Sequence, residues 1–260
     1  MSNVPMELFD THCHLYTCPQ FEDVEAVVTE AHAAGVKTLV CIGIDPETSR
    51  QAIDLAERFE GVYATVGHHP NQAADFTAET LVSLKEMARH PRVVALGEMG
   101  LDYHWDFATK EQQYACLEAQ LEWACDVQKP VVFHSRESTE DLLDVVAALE
   151  NRPRMVLHCF GGTLDQARRA LDLGLWLGFD GPITYPKSVE SREVLAMCPR
   201  DRVLIETDAP YLAPAPFRGK TNFPAFLPVI NEKVAEIWGV SSIESATITT
   251  KNARHFYGLD

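Results

Sequence analysis

A single (β/α)8 TIM barrel over residues 1–260 is the fold that this sequence predicts, and three observations point to it. Short β-rich apolar runs alternate with amphipathic stretches along the whole chain, which is the pattern of a parallel α/β sheet. Eight such runs can be counted, and the chain length is close to the roughly 250 residues at which eight units close. No Pro/Gly/Ser-rich linker, low-complexity run or closely spaced repeat interrupts the alternation, so no domain boundary is expected.

Taken in order, the strands are expected at residues 7–14, 38–44, 62–69, 93–98, 130–135, 154–160, 175–181 and 202–208. Helices of the outer ring are expected at 21–34, 47–60, 78–89, 110–127 and 137–150, where apolar residues recur at helical spacing with charges between them. After the last strand, residues 209–228 carry Pro214, Pro216, Pro224 and Pro228, whose fixed φ makes a stiff loop able to shape a site. Two closing helices are expected at 226–238 and 242–257.

Composition narrows the function. A net charge of −16 disfavours nucleic-acid binding through a broad basic surface, because phosphate neutralisation dominates such binding. Any polyanionic substrate must then be held by local positive charge. Seven scattered cysteines (Cys13, Cys18, Cys41, Cys116, Cys125, Cys159 and Cys198) in a chain too large to need disulfide staples read as reduced thiols. The opening residues carry no basic segment followed by an apolar run, and no apolar stretch approaches the ~18 residues of a membrane span. A cytoplasmic monomer with no membrane partner is expected.

The informative residues are those that end the strands. Asp10, His12 and His14 alternate along the first strand, so the two imidazoles should share the inner face while Thr11 and Cys13 point to the helices. Glu98, His134, His158 and Asp208 each end another strand, at the rim where barrels of this kind keep their active sites. A lone histidine at a strand end is more often a satisfied structural group, and His32, His90 and His255, on expected helices, are read that way. The constellation differs, because burying His12, His14, Glu98, His134, His158 and Asp208 together without cations would cost several kcal/mol. Imidazole and carboxylate donors suit Zn²⁺, Mn²⁺ or Mg²⁺, and a shared carboxylate can hold two divalent cations about 3.5–4 Å apart. By strand parity Cys13 and Cys159 should point away from this face. Glu206 lies one layer below Asp208 and is read as either a catalytic acid or a partner to a ligand.

The motifs Asp10-Thr-His-Cys-His14, Gly67-His-His-Pro70, Gly97-Glu-Met-Gly-Leu-Asp-Tyr103, His134-Ser-Arg136, Leu157-His-Cys-Phe160 and Glu206-Thr-Asp-Ala-Pro-Tyr-Leu212 resemble, in order, those of TatD-type metal-dependent deoxyribonucleases. The Asn252-Ala-Arg-His-Phe256 segment is similar to the family's terminal helix. The resemblance covers essentially the whole chain. It implies an amidohydrolase-like barrel that hydrolyses phosphodiester bonds in DNA, often as a 3′-to-5′ exonuclease. It also implies that His12, His14 and Asp208 hold one metal, that His134 and His158 hold a second, and that Glu98 bridges them. Three positions depart from the family pattern. Tyr16 stands where an acid is common, Glu137 replaces a common Asp, and Phe223 replaces a Glu in the loop expected to meet substrate.

On this reading Asp208 orients the attacking water or takes its proton, and Glu98 fixes the metal spacing. His69 donates a hydrogen bond to the phosphate or acts as an acid. Arg136, Arg218 and Lys220 follow the fifth and eighth strands and are expected to grip phosphate oxygens, while Tyr103 and Tyr211 are expected to stack on an unpaired base. A pocket in an acidic protein favours single-stranded DNA or frayed ends. Two alternatives remain at this level: the same metal barrel cleaving another ester or amide, such as an aminoacyl-tRNA ester, and a non-catalytic binding barrel.

Overall fold

The computed structural model of the chain describes residues 6–16 and 23–260. Eight parallel strands, β1 (Leu8–Cys13), β2 (Val36–Cys41), β3 (Val62–Val66), β4 (Val93–Asp102), β5 (Val131–Arg136), β6 (Met155–Leu157), β7 (Trp176–Phe179) and β8 (Val203–Ile205), lie side by side in chain order. Nine helices are described: α1 (Val24–Ala33), α2 (Pro46–Arg58), α3 (Ala78–Met87), α4 (Lys110–Val127), α5 (Thr139–Ala147), α6 (Leu164–Asp172), α7 (Val189–Met197), α8 (Leu227–Trp238) and α9 (Ser242–Tyr257). The expected (β/α)8 architecture is therefore present. Phe21, the expected start of the first helix, and Cys18 lie outside the described residues. No helix among the described residues is long and apolar enough to cross a membrane.

Local chemistry sets the boundaries. Asp45 caps α2 with Pro46 at its first position, and Thr109 and Thr163 form reciprocal boxes with Gln112 and Gln166 at the starts of α4 and α6. Helices α8 and α9 stop at Gly239 and Gly258 in the left-handed region. The expected fifth helix starts late, at Thr139, because Glu137 has φ 55°. Strand β4 runs past its expected end to Asp102, whereas β6 and β8 are only three residues long and stop short of His158 and Asp208.

The ring closes between β8 and β1. Asp208 N donates to His12 O at 2.9 Å and His14 N donates to Ala209 O at 2.7 Å. Beside this seam Thr207 donates from its backbone N and its hydroxyl to the buried carboxyl of Asp10. The bottom is closed by α9. Tyr257 stacks on Phe9 with ring centroids 5.8 Å apart and donates its hydroxyl to Thr11 O, while Phe256 packs edge-on against Trp176. With the lower end sealed by apolar side chains, the open end is the rim formed by the C-terminal strand ends.

Candidate metal centre

Glu98 stands at the middle of this rim and meets imidazoles from four other parts of the barrel. Its Oε1 is 2.8 Å from His158 Nε2, 2.9 Å from His134 Nδ1 and 3.6 Å from His69 Nε2, and its Oε2 is 3.5 Å from His12 Nε2. The carboxylate is 3 % exposed. Glycine makes its position possible: Gly97 has φ +125°, and a Cβ there would lie 2.4 Å from Val132 O.

A second group adjoins it. His12 Nε2 and His14 Nε2 are 3.2 Å apart and lie 3.6 and 3.4 Å from Asp208 Oδ1. Asp208 adopts φ 56° just past β8, which turns its carboxylate towards the two rings rather than along the strand. In each of three sets, His12/His14/Asp208, His69/Glu98/His134 and His12/His158/Glu206, the donor atoms lie within 4.8 Å of one another.

Polar groups stand behind His134, His158 and His14. Asp102 Oδ2 accepts from His134 Nε2 at 2.9 Å. Glu206 Oε1 is 3.6 Å from His158 Nδ1, and Glu206 also accepts from Thr11 Oγ1 and from Cys159 N. Gly178 leaves room for it, since a Cβ there would meet both Glu206 oxygens at 2.7 and 2.8 Å. Tyr16 gives its own proton to Ile42 O and accepts from His14 Nδ1 at 3.3 Å, so the His14 Nε2 lone pair is turned towards Asp208. The tyrosine at this departure from the family motif thus serves as the acceptor for His14.

Electrostatics follow from burial and these contacts. Burial alone would raise the carboxyls of Glu98 and Asp208. Neighbouring histidines outweigh it and hold Glu98 well below the usual carboxylate range, and Asp208 below it too. Burial pushes His69 down to about 3, helped by His134, and lowers His12, helped by His158. His134 and His158 go the other way, because hydrogen bonds and charge from Asp102, Glu98 and Glu206 overcome their burial.

The donor set fits a divalent cation. Neutral nitrogen and carboxylate oxygen converge from buried positions, and among the described residues no Lys or Arg pairs with Glu98 or Asp208. The two Nε2 atoms of His12 and His14 face one another beside one carboxylate oxygen, an arrangement that a cation between them would relieve.

The TatD-related DNase family model matches residues 9–258. The chain belongs to the TatD-related DNase family. Among its relatives, the uncharacterized metal-dependent hydrolase YabD of Bacillus subtilis is 38% identical over 255 residues, covering 97% of this chain and 100% of the relative. The 3′-5′ ssDNA/RNA exonuclease TatD of Klebsiella pneumoniae is 35% identical over 259 residues, with 97% and 98% covered. The crystal structure of YJJV, a TatD homologue from Escherichia coli K12, superposes with a TM-score of 0.92 at 31% identity and covers 98% of this chain and 99% of its own. The family resemblance carried by the sequence motifs and these matches agree.

Within this TatD-family rim, a cavity of ≈ 870 Å³ opens over the cluster, and its walls hold some of the residues expected to meet substrate and not others. Arg136 and Tyr211 line it. Arg218 and Lys220 are not among its lining residues: Arg218 lies over the Tyr185 ring at 4.4 Å, and Lys220 is exposed on the loop outside. Tyr103 is not among the lining residues either: its hydroxyl donates to Asp141 at 2.7 Å and Lys110 covers its ring at 3.6 Å. Glu206 is not among the lining residues and lies behind His158, its Oε1 3.6 Å from Nδ1. His69 is kept neutral and accepts from Asn71 N through Nδ1, which leaves Nε2–H as a donor and not a charged acid.

Parity fails at two further places. Thr11 points to Glu206 and not to the helices, since the β1–β2 register shifts between Asp10 and Cys13. Cys159 lines the cavity, because it lies beyond the end of β6 with φ 45°. Cys13 packs into the outer core as expected. Phe223 packs against Phe226 and is not among the lining residues.

Three residues went unassigned in the sequence. Asp102 shares the strand parity of Glu98 and could have been found from it. Asp180 follows β7, buried and lining the cavity, its carboxyl pushed well above the usual range by burial and by Asp208 and Glu206. Trp105 gave no signal beyond being aromatic.

Proposed function

We propose that this chain is a metal-dependent nuclease that hydrolyses phosphodiester bonds in single-stranded DNA, and in frayed ends, from the 3′ terminus. The observation that carries the reading is the contact of one buried carboxylate, Glu98, with four imidazoles at the floor of an open cavity. The similarity to proteins named as 3′-5′ ssDNA/RNA exonucleases supports the choice of bond, and leaves RNA as a second polymer to be tried.

In this reading His12, His14 and Asp208 would hold one divalent cation and His134 and His158 a second, with Glu98 completing the donor set. Such cations, whether Mg²⁺, Mn²⁺ or Zn²⁺, supply charge neutralisation of the phosphate and acidify water. The chain does the rest. Asp208, kept ionised among histidines, accepts the proton of the attacking water at a carboxylate oxygen. His69 donates from Nε2–H to a phosphate oxygen, and Arg136 binds the flanking phosphate. Tyr211, 52 % exposed and packed on His14, covers a base near the cleaved bond. Six free cysteines among the described residues fit a reducing compartment such as the cytoplasm.

Digestion of end-labelled oligonucleotides across a metal panel tests the reading. Stepwise release of mononucleotides from 3′ ends is expected, abolished by chelator and by Glu98→Ala. Equal rates on duplex interiors and on single-stranded ends would overturn it, and turnover of an aminoacyl ester with intact oligonucleotides would favour the ester alternative.

A further inference from the structure

The loop after β4 exposes an aromatic pair at the cavity edge. Trp105 is 46 % exposed and Phe107 62 %, and their rings stack at 5.7 Å with 26° between planes. Trp105 lines the same cavity as Glu98 and His134, and the Arg136 guanidinium lies 5.7 Å from its ring centroid. The loop is tied to the metal-ligand layer. Asp102 Oδ1 accepts from His104 N at 2.9 Å and from Trp105 N at 3.3 Å, while Asp102 Oδ2 holds His134. The backbone that carries the indole is therefore anchored to the rim. The two rings present a flat apolar face beside the cavity on which a planar group could stack.

From this geometry, and resting on the nuclease reading, we infer that Trp105, backed by Phe107 and Arg136, is the stacking platform for an unpaired nucleobase adjoining the cleaved phosphodiester. Every base offers a π-face, so the platform is tolerant of sequence, and only a base released from its partner can reach it. Arg136 meets the phosphate of the same nucleotide while its guanidinium flanks the indole. In an eight-strand ring β4 and β8 lie opposite one another, so Trp105 and Tyr211 flank the cavity from facing sides. Preference for single strands then arises from Trp105 and not from the metals.

The test compares wild type, Trp105→Ala and Trp105→Phe on a single-stranded oligonucleotide, and on the same oligonucleotide made abasic at its last two 3′ positions. Trp105→Ala should raise KM on the normal strand about tenfold with kcat within about twofold, and Trp105→Phe should recover most of the loss. On the abasic strand wild type and Trp105→Ala should have the same KM. An unchanged KM for Trp105→Ala on the normal strand, or an equal loss on both strands, overturns the assignment while the nuclease reading stands. A wild type that cleaves neither strand with any metal overturns the nuclease reading, and this inference with it.

Discussion

Asp102 accepts a hydrogen bond from His134 Nε2 at 2.9 Å, and the other nitrogen of that ring faces Glu98. A carboxylate behind a ligating histidine fixes its tautomer and its aim, and loss of such partners costs about 10–100-fold in metal affinity or activity. Asp102→Ala should therefore lower bound metal and kcat by about that factor with little change in KM. Metal content by mass spectrometry together with kinetics checks this, and full metal occupancy with normal kcat would refute it.

Gly178→Ala should disturb the site from below. The new Cβ would stand 2.7 Å from a Glu206 oxygen, and the carboxylate cannot retreat without leaving Thr11 and Cys159 N. Overpacking of this kind costs about 1–3 kcal/mol. Urea unfolding should show that loss, together with reduced turnover from a displaced His158. A variant as stable and active as wild type would mean that the cleft yields easily.

Asp10 should set part of the pH dependence of stability. Its buried carboxyl is pushed from the ordinary 3.8 up to about 7, by burial first and against hydrogen bonds from Thr207. Between those values the folded chain keeps a proton that the unfolded chain has released, so stability falls as pH rises from about 4 to about 7 and levels off above. Asp10→Asn removes that slope and keeps the Thr207 N contact. In chelator-treated protein, its unfolding free energy relative to wild type should therefore rise by a few kcal/mol between pH 4 and pH 7. Parallel pH curves would show that Asp10 titrates normally.

Basic residues at the rim should separate by position. Arg136→Ala removes a charged donor from the cavity wall, and KM for oligonucleotide should rise by about tenfold. Lys220→Ala, outside the lining, should leave KM within about twofold, the effect of a screened surface charge. Equal effects for the two variants would mean that the substrate reaches beyond the cavity.

Much of the molecule is legible in its sequence alone. Apolar runs separated by amphipathic stretches dictate parallel strands and an outer helical ring, because only that arrangement buries both faces of the sheet. Polar residues at successive strand ends marked His12, His14, Glu98, His134, His158 and Asp208, which the fold brings to one rim. The two-residue period of a strand predicts facing only while the strand lasts. Beyond the three-residue β6 and β8, and at the register shift in β1, side-chain direction passes to loop dihedrals and distant contacts.

Linear order therefore determined the barrel, the family motifs and the chemical types gathered at its mouth. Tertiary structure alone decided which of them face the cavity. Tyr103 was turned under Lys110, Glu206 was set behind His158, His69 was brought to Glu98, and Trp105 was lifted to the rim. The physical reason is that these orientations depend on hydrogen bonds between residues far apart in sequence, such as Asp10 with Thr207 and His134 with Asp102. Neither partner of such a pair carries a local signal of the other.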